Sequence, residues 1–175
     1  SPVQRISLRV PDDYAFIAGQ YLNVKAPGNI DIPMSIASAP GRLPELELHY
    51  RSIPGLPEAA AMDQLLVGRE LLVTEAAGDV TVSATDTPLL MVVGGSGAAQ
   101  AFSYAEDCRL RRTSNPIQIL WCADTENDVY ATDALLGYPN ILLEVCIDSR
   151  RTSENKGLSW LRANSSTYLN AQVVL

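Results

Sequence analysis

Leu89-Leu90-Met91-Val92-Val93-Gly94-Gly95-Ser96-Gly97-Ala98-Ala99-Gln100-Ala101-Phe102 is the stretch that decides how this chain reads. Five consecutive apolar residues suit a strand buried on both faces of a parallel sheet. The glycines that follow permit positive φ and let backbone approach a ligand closely. An alanine-rich run then favours a helix. The order is strand, glycine turn, helix. The first turn of such a helix offers unpaired N–H groups and a partial positive charge, which suit a phosphate. A purely structural strand-to-helix turn has the same pattern, so the neighbouring sequence has to decide.

Downstream, β and α patterns alternate. Residues 98–112 read as a helix, closed by Thr113-Ser114-Asn115-Pro116. Residues 117–122 and 141–146 are apolar strands, separated by a helix over 129–136 with an acidic start. A short helix is expected over 157–162, and a further strand over 171–175. This alternation implies a doubly wound parallel sheet. An apolar strand as the last element of the sequence leads to the expectation that the natural chain continues past Leu175.

Upstream, the period is two. Residues 3–10, 16–24, 32–38 and 45–51 read as strands, with turns at Pro11-Asp12-Asp13 and Pro27-Gly28-Asn29. Pro33 lacks a donor, which confines its strand to an edge or an irregular position. Residues 57–66 have helical composition with proline at the start, and residues 70–75 read as a closing strand. Short strands with Pro/Gly turns imply a small antiparallel β-barrel of Greek-key type. Residues 76–88 are small and polar and read as a linker. The expected division is a barrel domain over 1–85 and an α/β domain over 86–175.

Composition narrows the function. The 175 residues carry 13 basic and 20 acidic side chains, a net charge of −7. Such a balance argues against nucleic acid or an anionic membrane surface as partner. No apolar run reaches the roughly 18 residues of a membrane span, and no signal peptide is visible at Ser1. Cys108, Cys122 and Cys146 share no metal-ligand spacing and read as free thiols, which points to the cytoplasm. His49 is the only histidine, so neither a metal centre nor a Ser-His-Asp triad is expected.

Five segments together resemble the ferredoxin–NADP reductase superfamily, and within it the bacterial NAD(P)H:flavin reductases. They are Phe16-Ile17-Ala18-Gly19-Gln20-Tyr21-Leu22, Ile32-Pro33-Met34-Ser35-Ile36-Ala37-Ser38, Glu47-Leu48-His49, Gly94-Gly95-Ser96-Gly97 and Ile119-Leu120-Trp121-Cys122-Ala123. The resemblance implies that residues 32–38 form the flavin edge, where the family pattern is Arg-Pro-(Tyr or Phe)-Ser. Ser35 would hydrogen-bond the flavin near N5, as the catalytic residue. Ile32, Pro33, Met34, His49, Tyr50 and Arg51 would complete the flavin site. Ile32 stands where the family has an arginine for the ribityl or phosphate part. The lost charge-assisted bond is typically about 1.5–3 kcal/mol, so FAD or FMN is expected to act as a loosely held substrate. Met34 replaces the aromatic residue and would offer its polarisable sulfur to the ring.

On the same resemblance, Gly94, Gly95, Ser96 and Gly97 would lie beside the pyrophosphate of NADH or NADPH. Trp121, Cys122, Ala123 and Asp124 would flank the nucleotide. Asp124 would repel the extra phosphate of NADPH and so favour NADH. The arginines 109, 111 and 112 read instead as a solvated helix end that complements the dipole. The family's next motif lies past the final strand, and the family usually has another strand ahead of Val3.

Two functions are therefore in play. One is hydride transfer from a reduced nicotinamide to a flavin, with a downstream electron-acceptor protein as a further partner. The other is a binding module that keeps the fold without flavin. Hydrolase chemistry is set aside because no nucleophile elbow accompanies Ser35.

Overall fold

A computed structural model describes residues 3–67, 70–79, 87–148 and 155–174. The first half is built from hairpin-like pairs. Strand β1 (Gln4–Arg9) runs antiparallel to β4 (Glu45–Tyr50), with Arg5 opposite His49 and Leu8 opposite Leu46. Strand β2 (Tyr21–Ala26) lies between β3 (Ile30–Ser35) and β5 (Leu72–Val73), antiparallel to both. The turn from β2 to β3 places Gly28 at φ 81° and Asn29 at φ 61°, values that these two residue types adopt at little cost.

Pro33 sits opposite Asn23 on β3, which is the edge of its sheet, as a residue without a donor requires. An isolated bridge between Ile36 and Leu48 links the two small sheets. The expected barrel is thus present as two antiparallel sheets around one core, and no closed hydrogen-bonded ring forms among the described residues. Leu22, Val24, Ile32, Met34, Ile36, Leu46 and Leu48 fill that core, with Met62 of helix α1 (Pro57–Val67) packed among them.

Three expected strands are bounded differently than the alternation suggested, the one over 32–38 running instead from Ile30 to Ser35 with Ile36 making only an isolated bridge. Residues 16–20 are not strand, because Gly19 at φ 93° and a Gln20-to-Ile17 backbone bond make a turn there. Within 70–75, only Leu72 and Val73 pair. Of the expected linker, residues 80–86 lie outside the described residues, as do Gly68 and the terminal Leu175.

The second half is a four-stranded parallel sheet in the order β8-β7-β6-β9. These strands are β6 (Leu89–Gly94), β7 (Ile117–Ala123), β8 (Ile141–Ile147) and β9 (Gln172–Val174). Helix α2 (Ala98–Arg111) buries Ala98, Ala101, Phe102 and Ala105 against the sheet. Its alanines bring it close to the strands. It stops where Arg112 turns left-handed at φ 55°. Helix α4 (Lys156–Asn164) fulfils the expectation over 157–162, with Asn155 Oδ1 accepting from the Leu158 N–H as its cap. The helix expected over 129–136 is split. A 3-10 turn covers Glu126–Asp128, and helix α3 (Thr132–Leu136) begins only after Ala131.

The chain passes from β6 to β7 and β8 on one side of the sheet, then returns to β9 on the other. That reversal opens a crevice beyond the carboxyl end of β6, the usual place for a ligand in such sheets. The Gly94–Gly97 turn stands there. Helix α2 also locks the halves together. Ser103 Oγ donates to the Ser38 carbonyl at 2.7 Å, and the Ala39 N–H donates to Glu106 Oε2 at 2.8 Å.

Candidate active site

Two clefts meet along the junction of the halves. The larger, of about 710 Å³, is lined by Gly94, Gly95 and Ser96 from the turn after β6, and by Cys122, Ala123 and Asp124 from the end of β7. Asp128 and residues 51–54 complete its lining. The smaller, of about 310 Å³, is lined by Ile32, Pro33, Met34 and Ser35 of β3, and by His49 and Tyr50 of β4 with Arg51 just beyond it. Ile53, Leu56, Glu58, Ala59 and Ser96 complete it. Arg51, Ile53 and Ser96 line both clefts.

All seven residues expected at the flavin edge therefore share one cleft. Strand alternation decides what each presents. Ile32 and Met34 are 5 % and 4 % exposed and belong to the core of the first half, so they floor the cleft. Met34 packs inward, where the resemblance implied a side chain lying on a ring. Pro33 is exposed and Ser35 half-buried. An apolar floor with a hydroxyl at its edge and a cation at its mouth fits a flat, polar-rimmed ring such as a flavin.

On the nucleotide side, six of eight expected residues line one cavity. Gly97 and Trp121 do not. Trp121 is fully buried, because its strand position faces helix α2, and its Nε1 has no hydrogen-bond partner. It stands edge-on to Phe102 and to Tyr130, at centroid distances of 6.1 and 5.2 Å. Gly95 has φ 53°, and a Cβ added to it would meet nothing within 4 Å, so its backbone is bare toward the cavity. Burial and the nearby Asp148 carboxylate push the Cys122 thiol up, so it is a neutral thiol at pH 7.

A chain of charge-assisted bonds backs the smaller cleft. Arg5 donates through Nε and Nη2 to the two Glu47 oxygens, at 3.0 and 2.7 Å. His49 Nε2 lies 2.9 Å from Glu47 Oε1, and His49 Nδ1 lies 2.9 Å from the Tyr130 hydroxyl. Burial disfavours the Glu47 charge, but the bonds from Arg5 and His49 hold its carboxyl below the usual range. Burial depresses the His49 imidazole, against the pull of Glu47.

No family model matches this chain. It is 30 % identical over 132 residues to a reductase component of terephthalate 1,2-dioxygenase from Comamonas, covering 75 % of this chain and 39 % of the relative. To an NAD(P)H-flavin reductase from Vibrio harveyi it is 31 % identical over 143 residues, covering 75 % and 59 %. Among solved structures, ferredoxin-NADP+ reductase from Plasmodium falciparum superposes with a TM-score of 0.82 at 14 % identity, over 98 % of this chain and 75 % of that one. In sequence the chain is similar to flavin reductases and to reductase components of dioxygenase systems, and its fold is that of the ferredoxin–NADP+ reductases. The chain spans about two fifths to three fifths of the length of these two curated relatives.

The superfamily resemblance did not point to Asp128 or Tyr130. Asp128 had a local signal, since Thr125-x-x-Asp128 is a capping box. Its Oδ2 accepts from the Thr125 N–H at 2.9 Å and from Thr125 Oγ1 at 3.0 Å. Its ion pair with Arg51 joins residues from opposite halves and had no signal in the sequence.

Proposed function

We propose that this chain is the catalytic core of an NAD(P)H-dependent flavin reductase, passing a hydride from a reduced nicotinamide to a flavin. The observation that carries this reading is the shared wall. The cleft holding the expected flavin edge and the cavity holding the glycine turn meet at Arg51, Ile53 and Ser96. The balance is NADH plus a proton plus flavin giving NAD⁺ plus two-electron-reduced flavin. FMN or FAD, when bound, supplies the hydride-accepting ring; the protein supplies position and orientation.

In this reading Ile32 and Met34 support the ring, and Ser35 directs its hydroxyl at the ring edge. His49 and Tyr50 form the back wall. The Gly94–Ser96 backbone carries the nucleotide pyrophosphate, with Cys122 and Ala123 beside it. Asp124 selects NADH over NADPH by charge. The division into a flavin-side domain over 1–85 and a nucleotide-side domain over 86–175 belongs to the same proposal. The reductase components among the relatives support a downstream electron-acceptor protein. No described helix is long and apolar enough to cross a membrane, and the free thiols support a reducing cytoplasm.

The test is NADH and NADPH oxidation with and without riboflavin, FMN and FAD. Flavin-dependent turnover, faster with NADH, upholds the reading. Absence of both turnover and flavin binding overturns it and leaves a binding module.

A further inference from the structure

Cys122 and Cys146 are register partners on the neighbouring parallel strands β7 and β8. Residues paired in this way point to the same face of the sheet. Trp121, one position before Cys122, packs on Phe102 of α2, so alternation turns both cysteines to the opposite face. Paired strands lie about 4.8 Å apart, which falls within the roughly 4.4–6.8 Å Cα separation of a disulfide. The other register partner of Cys122 is Gly94, which has no side chain to offer.

Helix α4 covers this face. Asp148, two residues past Cys146, accepts from the backbone N–H groups of Lys156 and Gly157 at 2.9 and 3.2 Å, and so pins the first turn of α4. A Cβ on Gly157 would stand 2.6 Å from Cys122 Sγ, so the helix rests directly on that sulfur. Movement toward the helix is blocked, and the way left to the sulfur is along the sheet, toward Cys146. Access differs between the two. Cys122 is half-buried and lines the larger cavity, whereas Cys146 is 7 % exposed. Among the described residues no third metal ligand joins them. Burial first, and then the neighbouring Cys122, push the Cys146 thiol up. Both are therefore neutral thiols at pH 7 and react more slowly than an activated cysteine.

We propose that Cys122 and Cys146 form a dithiol site in the wall of the larger cavity, which takes a two-electron oxidant of the peroxide class and closes to a disulfide. Cys122 reacts first, because it borders the cavity. Its thiolate attacks one peroxide oxygen and becomes a sulfenic acid as the O–O bond breaks. The other oxygen leaves as hydroxide and takes up the proton that Cys122 gave. The Cys146 sulfur then attacks the Cys122 sulfur. The S–S bond forms as the S–O bond breaks, and the departing hydroxide takes the Cys146 proton. The sum is two thiols plus hydrogen peroxide giving one disulfide plus two waters. A dithiol reductant reverses the bridge, which makes it transient in a reducing compartment.

The experiment treats the whole folded chain with hydrogen peroxide, caps the remaining thiols with iodoacetamide and maps the product by mass spectrometry. The monomer should lose two of its three thiols and the mass of two hydrogen atoms, with the Cys122 and Cys146 peptides linked. Dithiothreitol should restore both. Cys108→Ser should leave the bridge unchanged. Cys146→Ser should stop at a sulfenic acid on Cys122, captured by dimedone, and Cys122→Ser should leave Cys146 reduced. A bridge to Cys108, bridges only between molecules, or thiols that stay reduced or oxidise independently overturn the proposal. If either serine variant on β7 or β8 does not fold by circular dichroism, the wild-type map decides alone. A parallel run with ADP-ribose separates this inference from the flavin-reductase reading, on which it does not depend. Slower bridging puts the nucleotide against Cys122 and supports both. Bridging that ignores ADP-ribose upholds the dithiol and counts against the nucleotide side of that reading.

Discussion

His49 and Tyr130 face each other at 2.9 Å across the junction of the two halves, imidazole Nδ1 against phenol hydroxyl. The Glu47 carboxylate on the other ring nitrogen fixes the tautomer. Nε2 carries the proton toward Glu47, so Nδ1 accepts from Tyr130. Phe102 stacks on Tyr130 at 5.7 Å and meets the His49 edge at 5.2 Å. Removing the donor leaves a buried acceptor unpaired. Tyr130→Phe should cost about 1–3 kcal/mol of unfolding free energy, read as a lowered urea midpoint with an unchanged slope.

The same histidine sets a pH window for stability. Burial lowers its folded-state pKa below the ordinary 6.5, so the unfolded chain binds more protons in that range. Stability is then full above about pH 6.5 and declines as pH falls toward the folded value. Urea unfolding between pH 5 and 7.5 should show this decline in the wild type. His49→Gln should flatten it. A slope that survives that substitution assigns the window to another group.

Ser35 is half-buried on an edge strand, so little of the fold depends on its hydroxyl. Ser35→Ala should leave the urea midpoint within the error of about 0.5 kcal/mol. Flavin-dependent NADH oxidation should fall about tenfold or more, in line with one hydrogen bond made to the reacting ring. An unaltered rate removes Ser35 from the site.

Asp124 lines the larger cavity and is exposed to it. Asp124→Asn removes a negative charge and should raise kcat/KM for NADPH relative to NADH by about tenfold, the scale of one screened charge contact near a protein surface. An unchanged ratio shows that the extra phosphate lies elsewhere.

Much of this architecture was legible because it rests on local pattern. The run from Leu89 to Phe102 fixed strand, turn and helix, and burial on both faces left no second reading of β6. Pro33 announced an edge strand through the donor it lacks. The expected helix over 129–136 failed for a nonlocal reason. The Thr125–Asp128 capping box ends in a tight turn, and Tyr130 is drawn out of helical geometry to pack against His49, Phe102 and Trp121. In the site, residues on β3 and β4 share one cleft because the Ile36–Leu48 bridge joins the two sheets to which they belong. Trp121 lines neither cleft, because strand alternation turned it to the helix side. The partnership of Arg51 with Asp128 depends on how two sheets dock, and periodicity within either sheet carries no trace of that.

The wall common to the two clefts also constrains the order of events. On the proposed reading flavin and nicotinamide nucleotide occupy neighbouring clefts with Arg51, Ile53 and Ser96 between them, so one ligand need not depart before the other arrives. Steady-state plots for such a geometry intersect, where a shuttle that emptied between half-reactions would give parallel lines. A single molecule that tethers an isoalloxazine to an adenine nucleotide would span both clefts, its second arm held at an effective concentration on the order of millimolar.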